Sequence, residues 1–239
     1  MGKRVALANQ LRAELEAFWA GAAVVFSEID SEISLAFLGR YPSPTDARTL
    51  AEKRLSGFLS GNHYSGGKSA KELLERLRDA PEGRAGEAEM RARREAVLGL
   101  VKTLKTLRKQ IRLLEERIAK AVRAHPDGGV FLSLFRGKDT TLRAACLLAE
   151  IGDRRERYPT PDAMAADAGM SPVVLQSGRK KVAGFRRACD KRLRRAVGTL
   201  AESTRHHNAW AKDVYGRARA LGAAIMLTRS ASLGGRGLG

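Results

Sequence analysis

From about residue 85 to residue 124 the chain has no proline and no turn cluster. Over that stretch Val97, Leu100, Leu104, Leu107, Ile111, Leu114, Ile118 and Ala121 fall alternately three and four positions apart. This is the spacing of a helix with one apolar seam, and a breaker-free run of such length leaves no room for a strand or a compact turn. One long helix is therefore imposed, and the rest of the chain has to be arranged around it. Lys102, Lys105, Arg108, Arg112 and Glu116 surround the seam, as a two-stranded coiled coil would require. Helices of the same chain could also cover it, so both arrangements stay open.

The flanking sequence has the same helical period and few β-branched runs, so the fold class is all-α and a strand would be unexpected. Val5, Ala8, Leu11, Leu15 and Phe18 line a first helix that stops near Gly21. A second piece runs from about Ser31 to Leu38 and breaks at Tyr41-Pro42-Ser43-Pro44. Thr45 and Asp46 are placed to cap the next helix, with Ala47, Leu50, Leu55 and Phe58. Residues 61–67 are a loop on composition, and Ser69 with Glu72 forms a capping box for the helix of Leu73, Leu74 and Leu77. These elements make up a helical region over 1–84, followed by the long helix over 85–125.

His125-Pro126-Asp127-Gly128-Gly129 marks a boundary, and a small helical domain is expected over 126–221. Val130 to Leu134 and Thr141 to Ile151 read as two short helices around the turn Arg136-Gly137-Lys138-Asp139. Thr160-Pro161 starts another helix, which ends at Gly169. Met170 to Gly184 reads as a cation-dense loop. Two final helices are expected, from about Phe185 to His206 and from Ala209 to Ala220, with a disordered tail over 222–239.

With 44 Lys and Arg against 26 Asp and Glu, the formal charge of +18 points to a polyanionic partner, nucleic acid before a membrane surface. No run approaches the roughly 18 apolar residues of a membrane-spanning helix, and the start lacks an apolar signal core, so the expected setting is the cytoplasm. Cys146 and Cys189 fall in helical patterns and are read as buried, reduced thiols. The four histidines are read as surface residues without metal-binding spacing, and there is no Walker or dinucleotide fingerprint.

Two places are suited to phosphate. The unit Phe131 to Ile151 resembles a helix-hairpin-helix, whose second helix offers free N–H groups, with Arg136 and Lys138 in the turn. Arg179, Lys180, Lys181, Arg186, Arg187, Lys191, Arg192, Arg194 and Arg195 fall within seventeen positions, offset locally by Asp190 alone. On a helix beginning at Phe185, the residues Arg187, Lys191 and Arg194 lie outside the apolar stripe of Phe185, Cys189, Leu193, Ala196 and Leu200 and can track a backbone. Ser177, between Gln176 and Gly178, is on spacing alone an ordinary loop serine.

The ordered motifs Leu147 to Asp153, Arg157-Tyr158-Pro159, Ala168 to Pro172, Gln176-Ser177-Gly178 and Phe185 to Arg194 resemble the carboxy-terminal transposase domain of the IS-one-ten insertion-sequence family. Asn9 to Leu15 and Ile33 to Pro44 resemble its middle helical region, so the likeness covers roughly residues 4 to 221. The resemblance implies bacterial DNA transposition, recombination by serine attack on a DNA phosphate, and Ser177 as the matching nucleophile. It implies a RuvC-like domain whose acidic quartet holds magnesium, and a structured bridge RNA as guide. The chain starts where the family's middle helices start, so it is expected to lack that domain and to carry no metal or other cofactor of its own. The turn Phe135-Arg136-Gly137-Lys138 also departs from the family's Pro-Gly-x-Gly.

Two functions follow. One is a partial transposase, inactive alone, that assembles as a homodimer or with full-length transposase on the nucleoid. The alternative is a non-catalytic, dimerising nucleic-acid-binding remnant or regulator. In both, DNA contact is assigned to Arg136, Lys138, Arg179, Lys180, Lys181, Arg186, Arg187, Lys191 and Arg194.

Overall fold

The computed structural model describes residues 2–234 other than 82, 84, 179, 186 and 187. For residues 155, 172, 174, 175, 177, 180–183, 185 and 223–234 it describes the backbone alone. Helix dominates as expected, and the chain divides into two units, Met1–Leu113 and Leu114–Gly239.

The first unit begins with α1 (Gly2–Phe18) and α2 (Ala20–Val24), which are separated at Trp19, where the backbone leaves the helical conformation. Gly21 does not end a helix. It lies inside α2, where a Cβ would stand 2.1 Å from the carbonyl oxygen of Leu77, so glycine is required for close approach. Then come α3 (Glu32–Arg40), α4 (Glu52–Gly61) and α5 (Ala70–Arg78). The Ser69–Glu72 capping box forms at α5 as read from the sequence. Thr45 and Asp46 do not cap a helix. Asp46 accepts a hydrogen bond from the Ser43 hydroxyl and forms an ion pair with Arg94 at 2.9 Å, residues 44–49 form turns, and α4 starts later without a side-chain cap.

Phe37 is fully buried among the rings of Trp19, Phe26, Tyr41 and Phe58, at centroid distances of 5.3–6.1 Å. Such tilted and edge-on pairs add to simple area burial. Leu11, Leu15, Leu35, Leu55 and Leu73 complete this core.

The long helix is α6 (Glu87–Ala124), 38 residues without a break. Its seam has two environments. Val97, Val101 and Leu104 are buried in the first core, so that part of the seam is covered within the chain. Farther on, Leu114 is 54% and Ile118 37% exposed. Residue spacing cannot reveal this change, because the period is the same in both halves.

The second unit contains α7 (Gly128–Ser133), α8 (Thr140–Ile151), a 3-10 turn at Arg155–Arg157 and α9 (Pro161–Asp167). An antiparallel hairpin of β1 (Pro172–Ser177) and β2 (Lys180–Phe185) follows, then α10 (Lys191–Thr204) and α11 (Ala209–Gly234). Val122, Phe131, Phe135, Ala144, Leu147, Leu148 and Ala196 form its core.

Three expectations are corrected here. The segment 170–184 is mostly hairpin and not loop. Val173, Val174 and Leu175 face a second run containing Val182 and Phe185, and only Gly178 and Arg179 intervene, which is a two-residue hairpin connection. The next helix starts at Lys191 and not Phe185, because the Asp190 carboxylate accepts from the backbone N–H groups of Arg192 and Leu193 and fixes its first turn. The tail is helical through Gly234, since Ala223 to Leu227 are helix-forming residues without a proline. Residues 235–239 fall outside the described ones. A fourth reading changes as well: Cys146 is exposed and not buried, and Cys189 is half-buried, both as free thiols.

Leu104→Ala should cost about 2–5 kcal/mol as a buried large-to-small change. Leu114→Ala should cost about 0.5 kcal/mol or less. Urea denaturation of the monomeric chain measures both, and equal losses would refute the division of the seam.

Candidate nucleic-acid interface

The turn between α7 and α8 is anchored by the buried ring of Phe135. Gly137 takes a φ of 97°, which suits glycine, and its carbonyl accepts a hydrogen bond from the Thr140 hydroxyl at 2.8 Å. Arg136 and Lys138 flank it, both exposed and without an ion pair among the described residues. The departure from Pro-Gly-x-Gly therefore still gives a closed turn.

A cavity of about 700 Å³ opens beside this turn. Arg136 and Gly137 line one side, and Arg143 of α8 another. Across from them α10 contributes Arg195, Thr199, Glu202 and Ser203, and His206 and His207 stand just past its end. Glu202 is engaged by both sides of the Arg205 guanidinium, one contact being Nε to Oε2 at 2.7 Å, and by His206 at 3.5 Å. The hydrogen bond from Arg205 is the main reason its carboxyl titrates below the ordinary range. Arg143 has a loose partner in Asp139 at 3.8 Å, while Arg136 and Arg195 have no ion pair among the described residues. The cavity is thus left with uncompensated cations and can neutralise an anion that enters it.

The hairpin stands on a fixed base. The Asp190 N–H donates to the Asp167 carbonyl at 2.9 Å, and the Arg194 guanidinium donates to the carbonyls of Ala168 and Gly169 at 2.9 and 2.8 Å. Arg157 reaches Asp167 at 3.3 Å and lies over the ring of Tyr158, whose hydroxyl donates to the Asp167 carboxylate at 2.6 Å. At the far end, Ser177 is the last residue of β1, paired with Lys180, and Gln176 is paired with Lys181. Gly178 takes the positive φ of 57° needed by the tight connection.

The structure brings Arg136 to the cavity and Lys138 to the same turn. It sets the backbones of Lys180 and Lys181 beside those of Ser177 and Gln176. Lys191 is exposed in the first turn of α10, whereas Arg194 is directed onto backbone carbonyls. Arg179, Arg186 and Arg187 fall outside the described residues. Sequence reasoning missed Arg143, His206 and His207, and it counted Arg195 in the cation cluster without assigning it a contact. A signal existed, since Arg195, Thr199 and Glu202 recur four and three apart along α10, with His206 four further on just past its end, to one side of the apolar stripe of Leu193, Ala196 and Leu200. The histidine assignment also changes at His125, whose Nε2 lies 2.9 Å from Asp153 Oδ1 while Nδ1 accepts from the Asp127 N–H. Among the described residues no group of three or more His, Cys, Asp or Glu converges to hold a metal.

Burial, followed by the hydrogen bond to Asp167, pushes the Tyr158 phenol from 10.0 up to about 12. The fold thus favours the neutral phenol. This contribution to stability is complete below pH 10, falls as pH rises towards 12, and is lost above it. Tyr158→Phe should flatten that part of the stability curve, as measured by denaturation across the range. An unchanged slope would exclude Tyr158 as its source.

Residues 140–216 match the family described as Transposase IS116/IS110/IS902 family, a span that includes α8, the hairpin and α10. The transposase ascribed to the IS117 mini-circle of Streptomyces coelicolor is 30% identical over 200 residues, covering 81% of this chain and 47% of that protein. The chain therefore spans about half the length of the curated relative it matches. No solved structure matches it. The ordered motifs, the family match over the cationic unit and the likeness to the IS117 protein agree, and the chain belongs to the IS116/IS110/IS902 family of insertion-sequence transposases.

Proposed function

We propose that the second unit holds nucleic acid by its phosphates and presents Ser177 for attack on a DNA phosphate during transposition. The observation that carries the binding half is the cavity, where Arg136, Arg143 and Arg195 converge with little internal neutralisation. For Ser177 the support is the family resemblance together with its position at the end of β1, paired with Lys180 at the hairpin tip. In such a step Oγ bonds to phosphorus, a strand P–O bond breaks, and the hydroxyl proton passes to a base. Cations hold the charge that builds on the phosphate oxygens. The resemblance assigns the magnesium to a RuvC-like domain and the choice of sites to a guide RNA, so DNA and a structured RNA are both proposed partners, in the bacterial cytoplasm on the nucleoid. No helix among the described residues is long and apolar enough to cross a membrane.

A second reading, a dimerising nucleic-acid-binding regulator without catalysis, is favoured by the exposed far half of the α6 seam. Leu114 and Ile118 would pair with their equivalents in another copy or in a full-length transposase. Ile118→Glu should then lower the mass in solution to that of one chain, and an unchanged mass would remove the reading.

If the unit neutralises about six phosphates on duplex DNA, log affinity should fall with log salt with a slope of roughly −5. Replacing Arg136 and Arg195 with Ala should reduce that slope by about two. Salt-independent binding would refute the phosphate assignment.

Mixed with a family RuvC-like domain, magnesium and DNA, the chain should form a covalent protein–DNA species that Ser177→Ala abolishes. It should form none without that domain. An adduct from the chain alone would show that the serine is activated locally.

A further inference from the structure

The chain has two tryptophans in opposite settings. Trp19 is 8% exposed in the first core, and Trp210 is 72% exposed in the first turn of α11. The start of α11 is fixed by Asn208, whose side-chain oxygen accepts from the Ala211 N–H at 3.1 Å. Farther along, the Arg205 guanidinium lies over the Tyr215 ring at 4.6 Å and fastens that side of α11 to the end of α10. Trp210 precedes Tyr215 by five residues, about 140° around the helix, so the indole is not on the fastened side. It follows His207, a residue of the cavity wall, by three positions, which span at most about 11 Å of chain.

An indole left this exposed, three residues along the chain from the wall of an arginine-lined cavity, adds the second part of a single-strand site to the first: a flat apolar face for a base and a cationic seat for the backbone. A paired base is already stacked on both sides and offers no such face. The cavity is also larger than one phosphate needs, so a sugar can enter with it. We propose that the cavity and Trp210 together seat one unpaired nucleotide, its phosphate held by Arg136, Arg143 and Arg195 and its base stacked on the indole. This inference rests on the nucleic-acid reading above and specifies the strand: unpaired, and DNA or RNA by the same chemistry.

The test uses the whole chain, labelled oligothymidylate, oligouridylate and a DNA duplex of equal length, at one salt concentration. Binding of either single strand should quench tryptophan emission. Trp210→Ala should weaken single-strand binding about tenfold or more and abolish the quenching, with duplex affinity held within about twofold. Trp210→Phe should restore most of the affinity, and circular dichroism should show equal helix content in all variants. Tighter binding of oligothymidylate or of oligouridylate identifies the natural strand, and either preference supports the site. Unchanged single-strand affinity in Trp210→Ala, or equal losses for single strand and duplex, would overturn the stacking site while nucleic-acid binding stands. If the unaltered chain bound none of the three, both this inference and the broader binding reading would fail.

Discussion

The second unit depends on the apolar contact between α8 and α10. Ala144 is fully buried and Ala196 nearly so, and both lie in the cluster with Leu147 and Leu148. Small residues at such a contact let two helices approach closely, as ridges-into-grooves packing requires. The residue just before each alanine is an arginine, Arg143 on α8 and Arg195 on α10. One step round a helix from a buried position is its margin, so the packing that buries the alanines brings both guanidinium groups to one rim. The cationic cavity is thus a by-product of core packing, and a bulkier residue at either alanine would separate the charges.

Charge placement elsewhere in the unit separates structural cations from available ones. Arg157, Arg194 and Arg205 are held by carboxylates or carbonyls within the fold. Arg136 and Arg195 are not so held among the described residues. A net charge of +18 cannot make this distinction, because it counts a guanidinium that locks a hairpin base the same as one that faces a cavity.

Much of the helical frame was legible in the sequence. The breaker-free run gave the bounds of α6 within a few residues, and Ser69, Glu72 and Thr160 marked caps that the structure contains. The misreadings share one cause: a local signal was assigned to the wrong partner. Asp46 looked like a cap but is held by Ser43 and Arg94, the latter 48 residues away. Asp190, in contrast, was counted as a neutralising charge and is in fact the N-cap of α10. Reading it so would have ended the helix there and released residues 180–185 to pair with the valines before Gly178. The stripe on α10 that lines the cavity was in the sequence too, but the turn residues it faces are more than fifty positions earlier, and only the fold brings them together.

The two-residue connection at Gly178 restricts how this tip can diverge among relatives. Strand neighbours alternate faces with a period of two, so the register fixes which residues share a face, while the positive φ at Gly178 restricts the residue type at the tip. A one-residue slip of the pairing would turn every member of β2 to the opposite face and set a different partner against Ser177. An added residue has to be taken up in the turn or in a bulge for the ladder to stay in place, so what keeps Lys180 and Lys181 against Ser177 and Gln176 is the register and not the length of the tip.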